Sequence, residues 1–383
     1  MTEVIVLGEH LLNTLGQIRS LGEIGIQPTV IWIENGYHSP KGSKYIKSFF
    51  PVRGVDEGLH ALHALSGDTL KVVSTDSDRI VAALDREYDL LRKEHFFFFN
   101  AGIQGRLSLF LDKKNQCEVA SRNGFKCPES YAVSAGSIPA GVRYPVFTKA
   151  ICSLSPDWKN QARICNDEQE LAAFLKSQDG SRVLVQEYIP KDNEVAIEGV
   201  SFNGGRDVFL PVQGEYYRLP EDGFGSFKYN EPFSLGDDFK NRIVGVLREI
   251  GYSGVFEIEF LKDKTGQLFF LEINFRHTQY NHALTDMGVN LSRVWLKSCV
   301  EGFLSVDEEV IRKDKSSVIN EIKDYRTYVK TGILSRKAWL RDLFSADSYY
   351  LFDRKDRFFI VRYFCTSLKL SVRKLIHGLG RNR

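Results

Sequence analysis

Three things are scarce in this sequence of 383 residues: methionine (2), cysteine (6) and any surplus of charge, with 51 Lys and Arg against 49 Asp and Glu. The last two each exclude something. The six cysteines form no CxxC pair and no Cys/His cluster, so a zinc site is not expected and the thiols read as reduced, mostly buried small hydrophobes. A net charge of +2 does not call for nucleic acid as a partner. Long apolar runs are missing as well: none exceeds about five residues, far short of the roughly 20 that span a bilayer. The opening MTEVIVLGEH puts Glu3 where a secretory signal carries basic residues, and it has no small-residue cleavage site. The expected compartment is therefore the cytoplasm. VIVLGEH also lacks the glycine fingerprint of a dinucleotide site.

A chain this long is too large for one core, and two or three domains are expected. Its first hundred residues alternate strand and helix patterns. VIVLG (4–8), PTVIWIE (28–34), LKVVSTD (70–76) and FFFFN (96–100) read as strands, with helical spacing at Leu12, Leu15, Ile18 and Leu21 and again over 78–92. That alternation predicts a mostly parallel sheet covered by helices. A helix is predicted over 113–123, capped by Asp112 and stopped at Gly124. An α+β stretch follows: strand YPVFTKA (144–150), helix 167–177 and strand RVLVQEYI (182–189). A hairpin closes the series, GVFEIEFLKD and LFFLEINFR (254–276), turning at Gly266. Helical stretches are expected over about 285–303 and 336–345.

The hairpin carries the first chemical signal. Residues two apart on a strand share a face, so Leu271, Ile273 and Phe275 point one way and Glu272, Asn274 and Arg276 the other. On the facing strand Phe256, Ile258 and Phe260 oppose Glu257 and Glu259. One face is core; the other gathers carboxylates, an amide and a guanidinium. Like charges across a strand pair cost about 0.2–1 kcal/mol, and a divalent cation removes that cost. Magnesium takes oxygen ligands and keeps positions for water or phosphates, and Arg276 suits a transferring phosphoryl group. A solvated polar face of an antiparallel sheet has the same pattern. Lys149 ends an apolar strand, where an ammonium is partly desolvated. Lys113 lies in a helix first turn, where a cation opposes the macrodipole unless an anion is near. Either one alone also reads as a surface lysine.

In order, these segments resemble the ATP-grasp superfamily, in which two α+β subdomains clasp ATP. DKKNQCEVASRNGFKCPE (112–129) is similar to its D-K-…-A-…-G-…-P segment, and YPVFTKA to its P-V-x-x-K-P strand with Ala150 in place of proline. The resemblance implies that Lys113 and Lys149 hold the ATP phosphates. VQEYIPKDNE is similar to the hinge strand, implying that Gln186 and Glu187 border adenine, the backbone of Tyr188 and Ile189 reads it, and Glu194 holds ribose. Residues 251–276 resemble the magnesium hairpin, implying Glu259, Glu272 and Asn274 as ligands of one or two Mg2+ ions and Arg276 as the group that stabilises transferred phosphate. The expected architecture is α/β and α+β: a Rossmann-like domain over 1–110, an ATP-grasp module over 111–310 with a lid about 126–188, and an extension over 311–383. EINFR in place of E-I-N-P-R, and a lid loop (152–163) without a glycine-rich run, resemble a carboxylate–amine ligase branch that includes D-aspartate ligase. In that loop Ser153, Ser155 and Lys159 are the candidates for closing over phosphate.

The reaction so implied is ATP-dependent activation of a small carboxylate as an acyl phosphate, then attack by an amine with release of ADP and phosphate. Arg218 and Lys228, in the Gly-rich segment 216–232, are candidates for gripping a substrate anion, or else solvated loop cations. His277, Tyr280, Asn281 and His282 are candidates for lining the substrate pocket, either histidine being a base or merely structural. Rival readings are a kinase or carboxylase that takes no amine, and a non-catalytic nucleotide-binding module. From Arg357 onward there are seven Lys/Arg and no Asp/Glu, with Phe364, Leu368, Val372, Leu375, Ile376 and Leu379 at helical spacing. That segment reads as a helix docked on the body, or as one that meets an acidic partner or the anionic inner face of a membrane. A homodimer stays open.

Overall fold

The computed structural model describes residues 2–36, 38–134, 138–151, 162–178, 182–219 and 225–379, with residues 371–379 described by their backbone alone. The lid-loop candidates Ser153, Ser155 and Lys159 lie outside these residues.

The first hundred residues form a five-stranded parallel sheet, in the order β3-β2-β1-β4-β5. Its strands are β1 (Glu3–Gly8), β2 (Thr29–Ile33), β3 (Ser48–Val52), β4 (Lys71–Thr75) and β5 (Phe96–Phe97). Alternate residues serve opposite faces, as the pleat requires: Ile5 and Leu7 enter one core and Val4 and Val6 the other. Helix α1 (Leu11–Glu23) buries Leu15, Ile18 and Leu21, and α2 (Asp78–Arg86) follows β4. Two features depart from expectation. β3 and the helix Val55–His63 are additional; β3 contains Pro51, which an edge strand tolerates because one side of its ladder is free. The four-Phe run pairs only over Phe96 and Phe97, while Phe98 and Phe99 stay buried beyond the ladder.

Helix α3 (Lys113–Arg122) starts at Asp112, whose side chain accepts from the Lys114 amide. A small antiparallel sheet of order β6-β9-β7-β8 comes next, built from β6 (Ser130–Val133), β7 (Val146–Ala150), β8 (Arg163–Cys165) and β9 (Val183–Glu187). The third sheet has seven strands: β10 (Lys191–Phe202), β11 (Asp207–Arg218), β12 (Phe227–Pro232), β13 (Gly254–Asp263), β14 (Leu268–Asn274), β15 (Ser316–Ile319) and β16 (Ser348–Tyr349). Their order is β14-β13-β10-β11-β12-β15-β16. Helix α4 (Asn281–Met287) follows the hairpin, and α5 (Arg357–Leu379) ends the described chain. The stretch expected to be helical over 285–303 is broken at Gly288, whose φ is 111°. The expected boundary at 310/311 does not separate a unit, because β15 and β16 extend the same large sheet.

The β13–β14 hairpin corrects the parity read from sequence by one residue. Glu259 pairs with Glu272, but Phe260 pairs with Phe270, so Leu271 is the extra residue of a bulge. Phe270, not Leu271, joins Ile273 and Phe275 in the core. Glu272 and Asn274 keep the polar face.

Candidate active site

The register places one polar surface across the large sheet. Glu257 faces Asn274 and Glu259 faces Glu272 between β13 and β14; Glu198 and Ala196 of β10 lie opposite Glu257 and Glu259. Farther across, Gly214 of β11 adjoins Ala196 on one side and Asn230 on the other, and Tyr216 adjoins Lys228. Gly214 is required here: a Cβ would lie 2.3 Å from Lys228 Cε and 2.6 Å from Asn230 Oδ1. Without one, the Lys228 stem crosses the sheet toward Glu198 and Glu257.

Two lysines from different elements meet the hairpin end of this surface. Gln116 of α3 brackets Ile273 on the edge strand β14, donating to its carbonyl at 3.0 Å and accepting from its amide at 2.8 Å. This amide replaces a neighbouring strand and sets Lys113, one turn earlier, against Glu272 in an ion pair. The Lys113 amide in turn donates to the Ile151 carbonyl (2.9 Å), tying α3 to the end of β7. Lys149 on β7 is buried, and its ammonium has no hydrogen-bond partner among the described residues. Burial, then the neighbouring Lys113, pull its pKa down to about 8. Burial works against Lys113 too, but Glu272 and Glu259 carry its pKa upward. On Glu272, burial is outweighed by Lys113 and Lys149, so its pKa falls. Glu259 forms no ion pair among the described residues; burial and then Glu257 and Glu272 push its carboxyl well above the usual range.

The amide nitrogen of Asn274 donates to both Glu257 (3.0 Å) and Glu259 (3.1 Å), standing where a cation would serve the same oxygens. Its oxygen accepts from Arg276, whose Nε also donates to Asp78 at the start of α2 (2.8 Å). Hard oxygen donors, one carboxyl left without a cation and an amide bridging two acids fit a magnesium-type ion better than a soft metal. Glu23, His282 and Asp286 are a second acid–histidine group, but its members are satisfied internally: Glu23 accepts from His282 (3.1 Å) and Lys355 (2.9 Å), and Asp286 from Ser348 (2.6 Å).

Behind the hairpin buried polar and aromatic side chains cluster into what serves below as the chamber. Lys228 Nζ sits 3.6 Å from Glu198 Oε1 and 3.9 Å from Glu257 Oε1, neither of which accepts a hydrogen bond from the described residues. The ammonium rests 3.9 Å over the Tyr280 ring, and Tyr280 shares a 2.5 Å hydroxyl contact with Tyr216. Both amide atoms of buried Asn230 and the hydroxyl of Ser316 opposite it are without partners among the described residues. Glu198 also accepts from Asn281. The Asn281 oxygen accepts from the Thr278 amide at 2.9 Å and contacts His277 Nδ1 at 2.6 Å. That arrangement puts the proton of His277 on Nδ1, and burial holds its pKa down to about 4, making it a neutral, weak base. Burial raises Glu198 to about 7, with Glu257 adding to the rise against the opposing Lys228.

The remaining candidates have different surroundings. Gln186 is buried and donates to Ser130 (2.8 Å); Glu187 is exposed and its amide donates to the Glu129 carbonyl (2.8 Å). The Tyr188 amide reaches the Pro145 carbonyl at 3.4 Å, Ile189 lies in the β9–β10 connection, and Glu194 pairs with Lys191 at 3.1 Å. Arg218 is not in the chamber. Its guanidinium is bonded to Asp324 (2.9 Å) and Asp342 (2.6 Å), two acids of the C-terminal region, and stacks near Phe227. His282 faces Glu23 and α1 instead of the chamber. Sequence reasoning overlooked Glu198, Asn230 and Tyr216. For Glu198 a signal existed: an acid at an alternate position of the apolar run VAIEGV.

No known family profile matches the chain. Over 235 residues it is 26% identical to the 2-oxoglutarate carboxylase small subunit of Hydrogenobacter thermophilus, covering 55% of this chain and 48% of that protein. It thus spans about half the length of that curated relative. Among solved structures, N5-carboxyaminoimidazole synthetase from Staphylococcus aureus superposes with a TM-score of 0.66 at 16% identity, over 86% of this chain and 85% of that one. L-amino acid ligase from Bacillus licheniformis gives 0.62 at 13% identity, over 82% and 79%. The fold is of the ATP-grasp type, with an N-terminal parallel-sheet domain.

Proposed function

We propose that this chain is an ATP- and magnesium-dependent carboxylate–amine ligase working through an acyl phosphate. The observation that carries the first half is that half-buried Lys113, paired with Glu272, and buried Lys149 both lie within electrostatic reach of the facing carboxylates Glu259 and Glu272. Two neighbouring ammoniums, one of them buried, attract a polyanion, and acids opposite them suit the cation that accompanies it. Glu259, Glu272 and the Asn274 oxygen, turned inward by rotation of its amide, would hold magnesium, which neutralises charge on the β- and γ-phosphates when bound. Gln186, Glu187 and the backbone of Tyr188 and Ile189 border adenine in this reading, and Glu194 takes ribose. Arg276 sits beside Asn274, where a guanidinium stabilises a phosphoryl group in transit. The γ-phosphoryl leaves ADP and bonds to a substrate carboxylate oxygen; positioning and charge supply most of the catalysis.

The chamber supports the amine half. Two carboxylates face a single ammonium there, an excess of negative charge beside an aromatic wall. An incoming ammonium group meets Glu198 and Glu257, while Lys228 remains for an anionic end of the same molecule. The amine must lose a proton before it attacks the acyl carbon and displaces phosphate, and Glu198, raised to about 7, is suited to accept it. The L-amino acid ligase joins amino acids by its name, and its similarity in fold is consistent with this reading.

A second reading, a carboxylase that takes no amine, is compatible with the carboxylase relative in the same degree. An ADP-release screen with magnesium across amino acids, amino sugars and bicarbonate separates the two. The ligase reading expects ADP and phosphate only with an amine present, and loss of at least about 100-fold in Glu272→Gln and Lys149→Ala. Turnover driven by bicarbonate alone would support the carboxylase. Activity surviving both substitutions would remove the site assignment.

A further inference from the structure

No helix among the described residues is long and apolar enough to cross a membrane, yet α5 leaves a large apolar surface uncovered. One of its faces is docked: Phe359, only 1% exposed, packs with Leu15 and Leu351, and Tyr363 stacks on His38 at 4.1 Å. The other presents Phe358 (76% exposed), Val361 (62%), Phe364 (60%) and Leu368 (67%). At about 100° per residue these four fall within a stripe of roughly 120°, centred nearly opposite Phe359 and Tyr363. The sequence continues the same spacing through Val372, Leu375 and Leu379. A stripe of this kind is not what a soluble helix docked on a body presents to water.

Charge narrows what covers it. From Arg357 onward the chain carries seven Lys/Arg and no Asp/Glu. A second copy of α5 laid on the first would bring two uncompensated cationic helices together. An anionic bilayer surface instead accepts the apolar stripe among its acyl chains while the basic side chains reach its headgroups. We infer that α5 lies in the plane of an anionic lipid surface, holding the protein there as a peripheral, salt-sensitive attachment. The inference is independent of the ligase reading, because none of these residues touches the chamber or the hairpin.

Deleting the helix is a poor test, since Phe359 belongs to the core. The full chain is instead sedimented with vesicles of phosphatidylcholine, with and without about one third phosphatidylglycerol, at low and high salt. The expected result is binding to the anionic vesicles only, weakened at high salt, and reduced about tenfold or more by the paired surface changes Phe364→Glu and Leu368→Glu. Thermal unfolding of the variant should match the parent, showing that the docked face is intact. Three results would overturn the inference: no binding to either vesicle, equal binding by the variant, or a concentration-dependent dimer that the same pair of changes abolishes.

Discussion

Lys149 is the residue whose surroundings most clearly work against stability. Its ammonium is buried without a hydrogen bond from the described residues, and its pKa falls from the ordinary 10.5 to about 8. Between about 8 and 10.5 the unfolded chain holds a proton that the folded chain has released, so stability rises with pH across that window. Below 8 the folded protein carries the whole cost of the buried charge. At about 1.4 kcal/mol for each tenfold loss of proton affinity, that cost is a few kcal/mol at most. Lys149→Met should therefore raise the melting temperature of the nucleotide-free protein at pH 7 and remove most of its affinity for ATP. Calorimetric unfolding and nucleotide titration of the same variant check both halves. A less stable protein with unchanged affinity would mean that the lysine is structural. Lys149 was legible in YPVFTKA because an apolar strand ending in lysine is already odd. Arg218 looked equally promising in a glycine-rich segment. What occupies it, Asp324 and Asp342, lies more than a hundred residues away, and no local pattern carries that information.

At the scale of elements, the hairpin and α3 act as one device joined by Gln116. Removing that amide in Gln116→Leu leaves the N–H and C=O of Ile273 buried and unpaired, at about 1–3 kcal/mol for each group. It also frees α3 to shift Lys113 away from Glu272. The expected outcome is a lower denaturation midpoint together with a raised KM for ATP; a fall in stability with KM unchanged would separate the helix from the phosphate site. Much of this level was readable. Strand alternation placed Glu257, Glu259, Glu272 and Asn274 on one face, and Asp112 marked the start of the helix. The bulge at Leu271 was not readable, since two leucine-like positions in LFFLEI satisfy either register and only the pairing with β13 decides. β3 was missed for a related reason: SFFPV contains a proline and lies at a sheet edge, where the usual strand signal is weakest.

The three sheets are bound together more closely than a domain list suggests. β15 and β16 extend the large sheet beside β12, which carries Lys228 and Asn230, and Asp324 and Asp342 neutralise Arg218. A chain ending at residue 310 would expose the edge of β12 and leave a half-buried guanidinium without its partners, a loss of about 3–5 kcal/mol for the charge alone. Such a truncation should be insoluble or unfolded by circular dichroism. A soluble, folded and active fragment would show the C-terminal region to be an accessory after all.

At the carboxyl ends of β1 and β4, where the strand order of the parallel sheet reverses, Asp76 is buried and accepts from the amides of Glu9 and His10, both at 3.0 Å, and from Thr14 at 2.5 Å. Crevices of that kind commonly receive the phosphates of a dinucleotide at the helix N-terminus. Here the protein supplies its own carboxyl group, so the position is filled. One residue before Asp76, the Thr75 carbonyl takes the His277 amide at 3.1 Å, and two residues after it, Asp78 takes Arg276. A crevice that elsewhere would select a ligand has become a socket for the end of the hairpin, and this domain works as the anvil against which the guanidinium of Arg276 is aimed.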